Sequence, residues 1–312
     1  MVLRQRHQKF DIKRVLFIAS FLAISLAHFA IFWAYINVDT IRLTLFKYNP
    51  VTQEYIWNNF ENYTRIFKNI FLREDIAQAR AFTNTFRAII INLIIFPLAL
   101  VTSYAFYKKC YGTSIFRVIF YLPSIISLVI LTMAYKSMFR PGTGPVYEFF
   151  ELFGYTPSWL SPDESSKTIW PLIYIFCILN GLSTNVILMS SAMLKIPNEI
   201  PEAAKLDGCG FFRELFTISV PLIMPTITTW ITAILASVFT FHLQPMLISV
   251  DHVNGSTLTI PWQIFSLVAD GGSNPTSLIA SASLGIFLSL FMLPWILLSR
   301  WGLKKLTPEV TF

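Results

Sequence analysis

The chain holds 312 residues, of which 54% are hydrophobic and only 13% charged, and its mean hydropathy is +0.59. Soluble domains carry about 25% charged residues, so this composition excludes an ordinary water-soluble globule and indicates a polytopic membrane protein. The formal charge of +7 clusters beside apolar runs, where basic residues hold membrane orientation, and no RNP-like or zinc-finger pattern accompanies it, so no nucleic acid is expected as a partner.

Residues 1–14 open the chain with Arg4, Arg6, Lys9, Lys13 and Arg14. The first apolar run follows over 15–36 and ends in Phe32–Ile36, "FWAYI". A signal peptide begins in the same way, but its apolar core spans roughly 7–15 residues before a small-residue cleavage site. The run here is longer and aromatic at its end, and it is expected to remain as an anchor. About 20 apolar residues cross a hydrocarbon core. Five further runs meet that length, at 86–107, 115–139, 168–190, 217–249 and 277–299. Pro123 is expected to break the third, and Pro221, Pro225 and Pro245 to kink the ends of the fifth. The spacing therefore predicts an all-α polytopic membrane protein with about six transmembrane helices, forming a single transmembrane domain over 1–312.

Short loops set the orientation. The segment "YKKCYG" (Tyr107–Gly112), the amino-terminal stretch, and the tail 300–312 with Arg300, Lys304 and Lys305 are basic. The loop 250–276 has no Lys or Arg and carries Asp251 and Asp270. Basic loops stay inside, so both termini are expected in the cytoplasm. The segment 37–85 fits that orientation least, since it would lie outside with six basic residues, although acids offset much of their charge. Cys110, Cys177 and Cys209 lack a C-x-x-C arrangement and read as structural, with no metal or redox site.

The segment 191–216 then falls on the cytoplasmic side between spans four and five. Asn198 can cap a helix whose first turn holds Glu199, Pro201 and Glu202, where acids meet the positive helix end and proline gives up only an unpaired amide. The helix runs through Ala203, Ala204 and Leu206 and stops at Gly208, which can turn left-handed. A second short helix from about Phe211 leads to Ile218, and Pro221 marks the entry to the next span. An ordinary amphipathic interfacial loop would share this composition.

The spacing carries more than the composition does. Glu202-Ala203-Ala204, three residues, Gly208, nine residues, Ile218, two residues, Pro221 resembles the "EAA" loop of binding-protein-dependent ABC importer permeases; Val220 stands where that pattern has leucine. Ile196-Pro197, Asp207 and Pro225 also fit. The resemblance extends along most of the chain: "NNFENYTRIF" (Asn58–Phe67), "NTF" (Asn84–Phe86), "FRVIFYLPSIIS" (Phe116–Ser127) and "ASASLGIFLSL" (Ala280–Leu290) are similar to segments of the carbohydrate-uptake branch, maltose- and glycerol-phosphate-permease-like. What it implies is a non-catalytic subunit with a cytoplasmic coupling helix between spans four and five. Glu202, Ala203, Ala204, Asp207, Gly208, Phe211, Phe212 and Phe216 would contact an ATPase. The implied partners are a second permease subunit in a heterodimer, two ABC ATPase subunits, an extracytoplasmic solute-binding protein and membrane lipid. The chain has no G-x-x-x-x-G-K-[ST] phosphate loop, so ATP and Mg belong to the partner ATPase, and this chain is expected to hold no cofactor.

Polar groups inside spans are costly and mark pathways. Two clusters stand out, "NGLSTN" (Asn180–Asn185) in span four and "SVFTFHLQP" (Ser237–Pro245) in span five. Ser237, Thr240, Phe241 and Gln244 are spaced to share one helical face, with hydroxyl, amide and aromatic groups suited to a sugar. The resemblance places a sugar site in these two segments and adds Asn180, Gly181 and Thr184. Interhelical hydrogen bonding by small polar residues is the plainer alternative. His242 stands alone, with no carboxylate at helical spacing, and reads as packed or interfacial. Gly271–Pro275 reads as a turn.

Two other classes compete. An ion- or proton-coupled secondary transporter would show paired intramembrane acids or an internal repeat. A membrane-embedded enzyme would cluster His, Asp or Glu near one membrane face. Neither pattern occurs in the sequence, and no catalytic residue is assigned.

Overall fold

A computed structural model of the chain describes residues 12–156, 165–249, 256–269 and 274–306. The basic residues before position 12, residues 250–255 and 270–273 of the loop 250–276, with the start of the expected turn at Gly271, and the end of the tail lie outside them. Helix α1 (Ile12–His28) continues through a π-helical stretch, Phe29–Tyr35, into α2 (Ile36–Leu43). The strands β1 (Phe46–Asn49) and β2 (Glu54–Trp57) form an antiparallel hairpin in which Phe46 faces Trp57. Then come α3 (Glu61–Phe67), α4 (Ile76–Thr85) and α5 (Arg87–Tyr107). Asp75 caps α4 by accepting from the amides of Ala77 and Gln78.

The middle of the chain comprises α6 (Thr113–Ile125), α7 (Leu128–Met138), α8 (Pro145–Glu151) and α9 (Ser165–Met193). Next are α10 (Glu199–Leu206), α11 (Phe211–Glu214), a π-helical turn Leu215–Ser219, α12 (Val220–Leu222), α13 (Met224–Ser237) and α14 (Leu243–Ile248). The chain closes with α15 (Ile260–Ala269) and α16 (Pro275–Leu306).

Four helices among the described residues are long and apolar enough to cross a membrane: Leu16–Leu43, Ile76–Tyr107, Ile169–Met193 and Pro275–Lys305. Two bent pairs bring the number to six if each is one span. In the first, α6 and α7 meet at 105°. The break lies at Ile126 and Ser127, which are extended, and not at Pro123, which sits inside α6 in its last turn. In the second, Phe211–Leu222 meets Met224–Ser237 at 81° about Ile223, between Pro221 and Pro225. Two prolines without amide donors remove the ladder bonds that would carry the helix straight through.

The core forms where α5 lies along α9. Ile91, Ile95 and Ala99 of α5 pack on Ile173, Phe176, Cys177 and Val186 of α9. Leu100 and Tyr104 continue the contact toward Met189, Met193, Leu215 and Trp230. Val238, Ile260, Leu284, Leu288 and Met292 join α13, α15 and α16. By contrast, the apolar window of Leu16–Leu43 is not buried at all by the rest of the chain, as expected of a helix whose surroundings are lipid or another subunit.

Hydrogen bonds fix which helix ends share a side. Lys108, after α5, pairs with Glu214 in α11. At the opposite end, Asn84 donates to the carbonyls of Ser256 and Leu258, and the amide of Ile260 donates to Thr85 Oγ1. Trp170, near the start of α9, also donates to the Ser256 carbonyl. The loop after α5 and the α10–α11 segment therefore share one face, and the ends of α4 and α9 share the other.

Candidate functional site

The first candidate region is the segment between α9 and α13. Gly208 has φ +69°, and the two hydrogen bonds of a Schellman motif close α10: the Gly208 amide donates to the Lys205 carbonyl and that of Cys209 to Ala204. A Cβ at Gly208 would meet nothing within 4 Å, so the glycine is required by its dihedral and not by crowding. Asn198 does not act as the expected cap. Its own backbone is helical and its side chain makes no capping bond, because the first turn begins earlier, with the Ile200 amide donating to the Pro197 carbonyl.

The structure divides the eight residues expected to contact an ATPase into two groups. Glu202, Ala203, Asp207, Gly208, Phe212 and Phe216 are exposed, with the two phenylalanines 61% and 56% accessible. Ala204 is only 5% accessible, and Phe211 is half-buried with its ring edge-on to Tyr104 at 4.7 Å. Ala204 and Phe211 thus seat the segment on the chain's own helices, while the other six form an outward rim. Leu206, expected in the helix but not among the contact residues, belongs to that rim at 90% accessible. Glu214, unremarked in the sequence, is 3% accessible and holds Lys108 Nζ at 2.6 Å.

The second candidate region is less coherent. The chain leaves helical geometry after Ser237, passes through turns at 238–242 and resumes as α14 at Leu243. Ser237, Thr240, Phe241 and Gln244 therefore do not share one continuous helical face. Phe241 is 7% accessible and packs in the α5–α9 core beside Trp170. Ser237 accepts from Asn92 of α5 and donates to the Ile234 carbonyl. Thr240 is exposed and bonds back to the Ser237 carbonyl. Gln244 is half-buried, with Oε1 buried and lacking a hydrogen-bond partner.

In α9, Thr184 is exposed and Asn180 half-exposed. Gly181 is a packing residue: a Cβ there would lie 2.5 Å from Ile95 Cδ1, so its small size lets α9 approach α5. Asn185, one residue beyond Thr184, accepts from the Trp230 indole of α13. That bond ties the polar segment of α9 to α13 and was invisible in the spacing, because its partner is an apolar-looking tryptophan. His242 stacks on Phe265 at 5.8 Å, a packed histidine. Lys136 in α7 donates to the carbonyls of Leu247 and Ser249, satisfying the end of α14.

The quoted sequence blocks have physical work in the fold. Asn62 donates to the carbonyls of Thr44 and Phe46, and the Tyr63 hydroxyl lies 2.6 Å from Thr44 Oγ1, pinning α3 against α2 and the hairpin. Asn84 and Thr85 clamp the segment 256–260 as described above.

No protein-family model matches the chain. It is 25% identical over 281 residues to the diacetylchitobiose uptake system permease NgcF of Streptomyces coelicolor, covering 85% of this chain and 76% of that protein. It is 24% identical over 221 residues to the probable ABC transporter permease YurN of Bacillus subtilis, covering 68% and 71%. The maltose/maltodextrin permease MalF of Escherichia coli matches at 23% over 174 residues, or 55% of this chain but only 33% of that relative. Among solved structures, a bacterial ABC transporter that imports the acidic polysaccharide alginate superposes with a TM-score of 0.79 at 21% identity, covering 96% of this chain and 98% of that one. A second structure of the alginate transporter, in complex with an alginate pentasaccharide-bound periplasmic protein, gives the same TM-score.

In fold the chain is similar to the membrane subunit of an ABC importer, and in sequence its relatives are membrane permeases, one of them a probable ABC transporter permease. Within that class its relatives are permeases of carbohydrate uptake.

Proposed function

We propose that this chain is one half of the translocation pathway of an ATP-driven importer for a sugar or oligosaccharide. A second permease chain would form the other half, a solute-binding protein would deliver the substrate, and two ATPase subunits would bind and hydrolyse ATP with Mg. The relatives' substrates, diacetylchitobiose and maltodextrins, support the substrate class, and the complex of the alginate transporter with its binding protein supports the assembly. Both termini face the cytoplasm in this reading, because the basic stretch around Lys108 shares a side with α10 and α11.

One observation carries the proposal: α10 is a capped helix with an exposed rim, held to the membrane body by its opposite side. Glu202, Ala203, Leu206, Asp207, Phe212 and Phe216 offer small, acidic and aromatic groups to a partner groove. Ala204, Phe211 and Glu214 hold the segment to α5 and its neighbours. Closure of the ATPase pair on ATP would draw the rim with it, and the inward attachments would pass that motion to the spans. The ATPase supplies the chemistry; this chain binds, transmits and opens. Asn180, Thr184, Thr240 and Gln244 are the groups we assign to the solute pathway, with Ser237 beside them, while Gly181 and Phe241 shape the helices that carry them.

The test is purification of the chain from its membrane in mild detergent, identification of its partners, and uptake of labelled chitobiose and maltotriose by the complex in liposomes. Co-purification of an ATPase and a second permease with ATP-dependent sugar uptake is expected. Uptake by the chain alone, driven by an ion gradient and indifferent to ATP, would overturn the reading.

A further inference from the structure

The inner end of α5 carries a charged contact for which neither composition nor motif gave notice. Lys108 Nζ lies 2.6 Å from Glu214 Oε1, and the Glu214 side chain is 4% exposed. Burying such a pair often stabilises a protein no better than an apolar pair of equal volume would, yet removing one partner strands the other in a medium that cannot solvate it. The contact therefore adds little net stability and opposes separation strongly. Its surroundings reinforce that. The ammonium lies 5.9 Å from the Tyr104 ring centroid, and the same ring receives Phe211 edge-on. The hydroxyls of Tyr104 and Tyr107 are buried and lie in the field of the Glu214 carboxylate. Loss of the carboxylate would leave these donors with no anion among them.

The position of the pair gives it a mechanical consequence. Along the backbone, α10 and α11 connect forward to α13 only through the bend of 81° at Ile223. Backward, residues 194–198 join α10 to α9, so both backbone routes lead to spans other than α5. Attachment of α11 to α5 adds a side-chain path, into the helix that packs along α9. We propose that Glu214 and Lys108 are positioning residues for transport, a clasp that makes the end of α5 travel with the coupling segment when nucleotide binds. The proposal rests on the coupling reading above and adds the route by which motion enters the second span.

Two native cysteines flank the clasp. Cys110 follows Lys108 and is exposed, and Cys209 precedes α11 with intermediate exposure, while Cys177 is buried. Nitroxide labels on Cys110 and Cys209 report the separation of the two elements by pulsed electron paramagnetic resonance. The sample is the complete complex with its partner permease and ATPase subunits, nucleotide-free and then trapped with ATP and vanadate. In the wild-type chain the distance distribution is expected to be the same in both states. In Glu214→Gln, which keeps the side chain's shape, a second and longer population is expected only in the trapped state. The reversed pair, Lys108→Glu with Glu214→Lys, should restore the single distribution. A merely structural role would alter both states equally.

Three results overturn the clasp: no nucleotide-dependent change in Glu214→Gln, a reversed pair no better than the single substitution, or failure of every variant to assemble, which would make the pair structural alone. A wild-type chain that recruits no ATPase subunit would instead contradict the importer reading, whatever the variants do.

Discussion

The coupling segment and the polar stretches of spans four and five look equally prominent in the sequence, yet they fared differently in three dimensions. In the coupling segment the helix over Glu199–Leu206, the left-handed stop at Gly208 and the restart at Phe211 all occur where the spacing puts them. In the spans, the expected face of Ser237, Thr240, Phe241 and Gln244 is interrupted by turns at 238–242, and Gly181 and Phe241 turn inward to packing. The difference is one of range. Left-handed stops are decided within about six residues, by dihedral preference and local hydrogen bonds, although the expected cap at Asn198 does not form. Which way a polar residue points within a membrane bundle depends on helices distant in sequence.

The largest expected effect lies on the exposed rim. Glu202→Lys reverses an accessible charge at the proposed ATPase contact and should reduce ATP-dependent uptake roughly a hundredfold, the scale of a lost interfacial charge pair. Insertion of the chain into membranes, followed by immunoblotting, should be unchanged. A smaller loss is expected at the helix stop. Gly208→Val forces a branched residue into φ +69° and should lower uptake about tenfold, whereas Gly208→Asn, which tolerates that region, should stay within about twofold. Equal behaviour of the two would remove the dihedral argument.

For the packing residues of the spans the comparison predicts stability effects in place of transport effects. Gly181→Ala presses on the flexible end of Ile95 and should cost about 1 kcal/mol, read as a lower unfolding temperature in detergent, with Ile95→Val restoring most of it. A change in apparent sugar affinity with unaltered stability would return Gly181 to the pathway. Smallest of all, Asn185→Leu removes the bond from Trp230 and should cost about 0.6 kcal/mol, an average for hydrogen bonds between membrane helices.

Much of the fold was legible because lipid imposes a length on every apolar run. The helices Ile169–Met193 and Pro275–Lys305 overlap the expected 168–190 and 277–299 closely. The second span starts ten residues before the expected 86, since α4 carries polar residues such as Gln78 and Asn84 that hydropathy discounts but tertiary hydrogen bonds satisfy. The sharp bends were signalled by prolines in one case only: Pro221 and Pro225 flank the turn at Ile223, whereas Ile126 and Ser127 break the third span with no sequence warning of their own. The hairpin over Phe46–Trp57 also escaped notice, its strands being four residues each. Glu214 was hidden for a different reason, as an ordinary acid in a charged loop until Lys108 is placed beside it.

The measurement that bears most directly on the coupling rim is site-specific photo-crosslinking in native membranes. A benzophenone amino acid would replace Phe212, Ala203 or Phe211 one at a time, with the captured polypeptide identified by mass spectrometry. Phe212 and Ala203 are exposed, while Phe211 packs on Tyr104. The account predicts capture of an ABC ATPase subunit from the first two positions and little from the third. Capture of lipid alone from all three, in membranes that contain the ATPase, would contradict it.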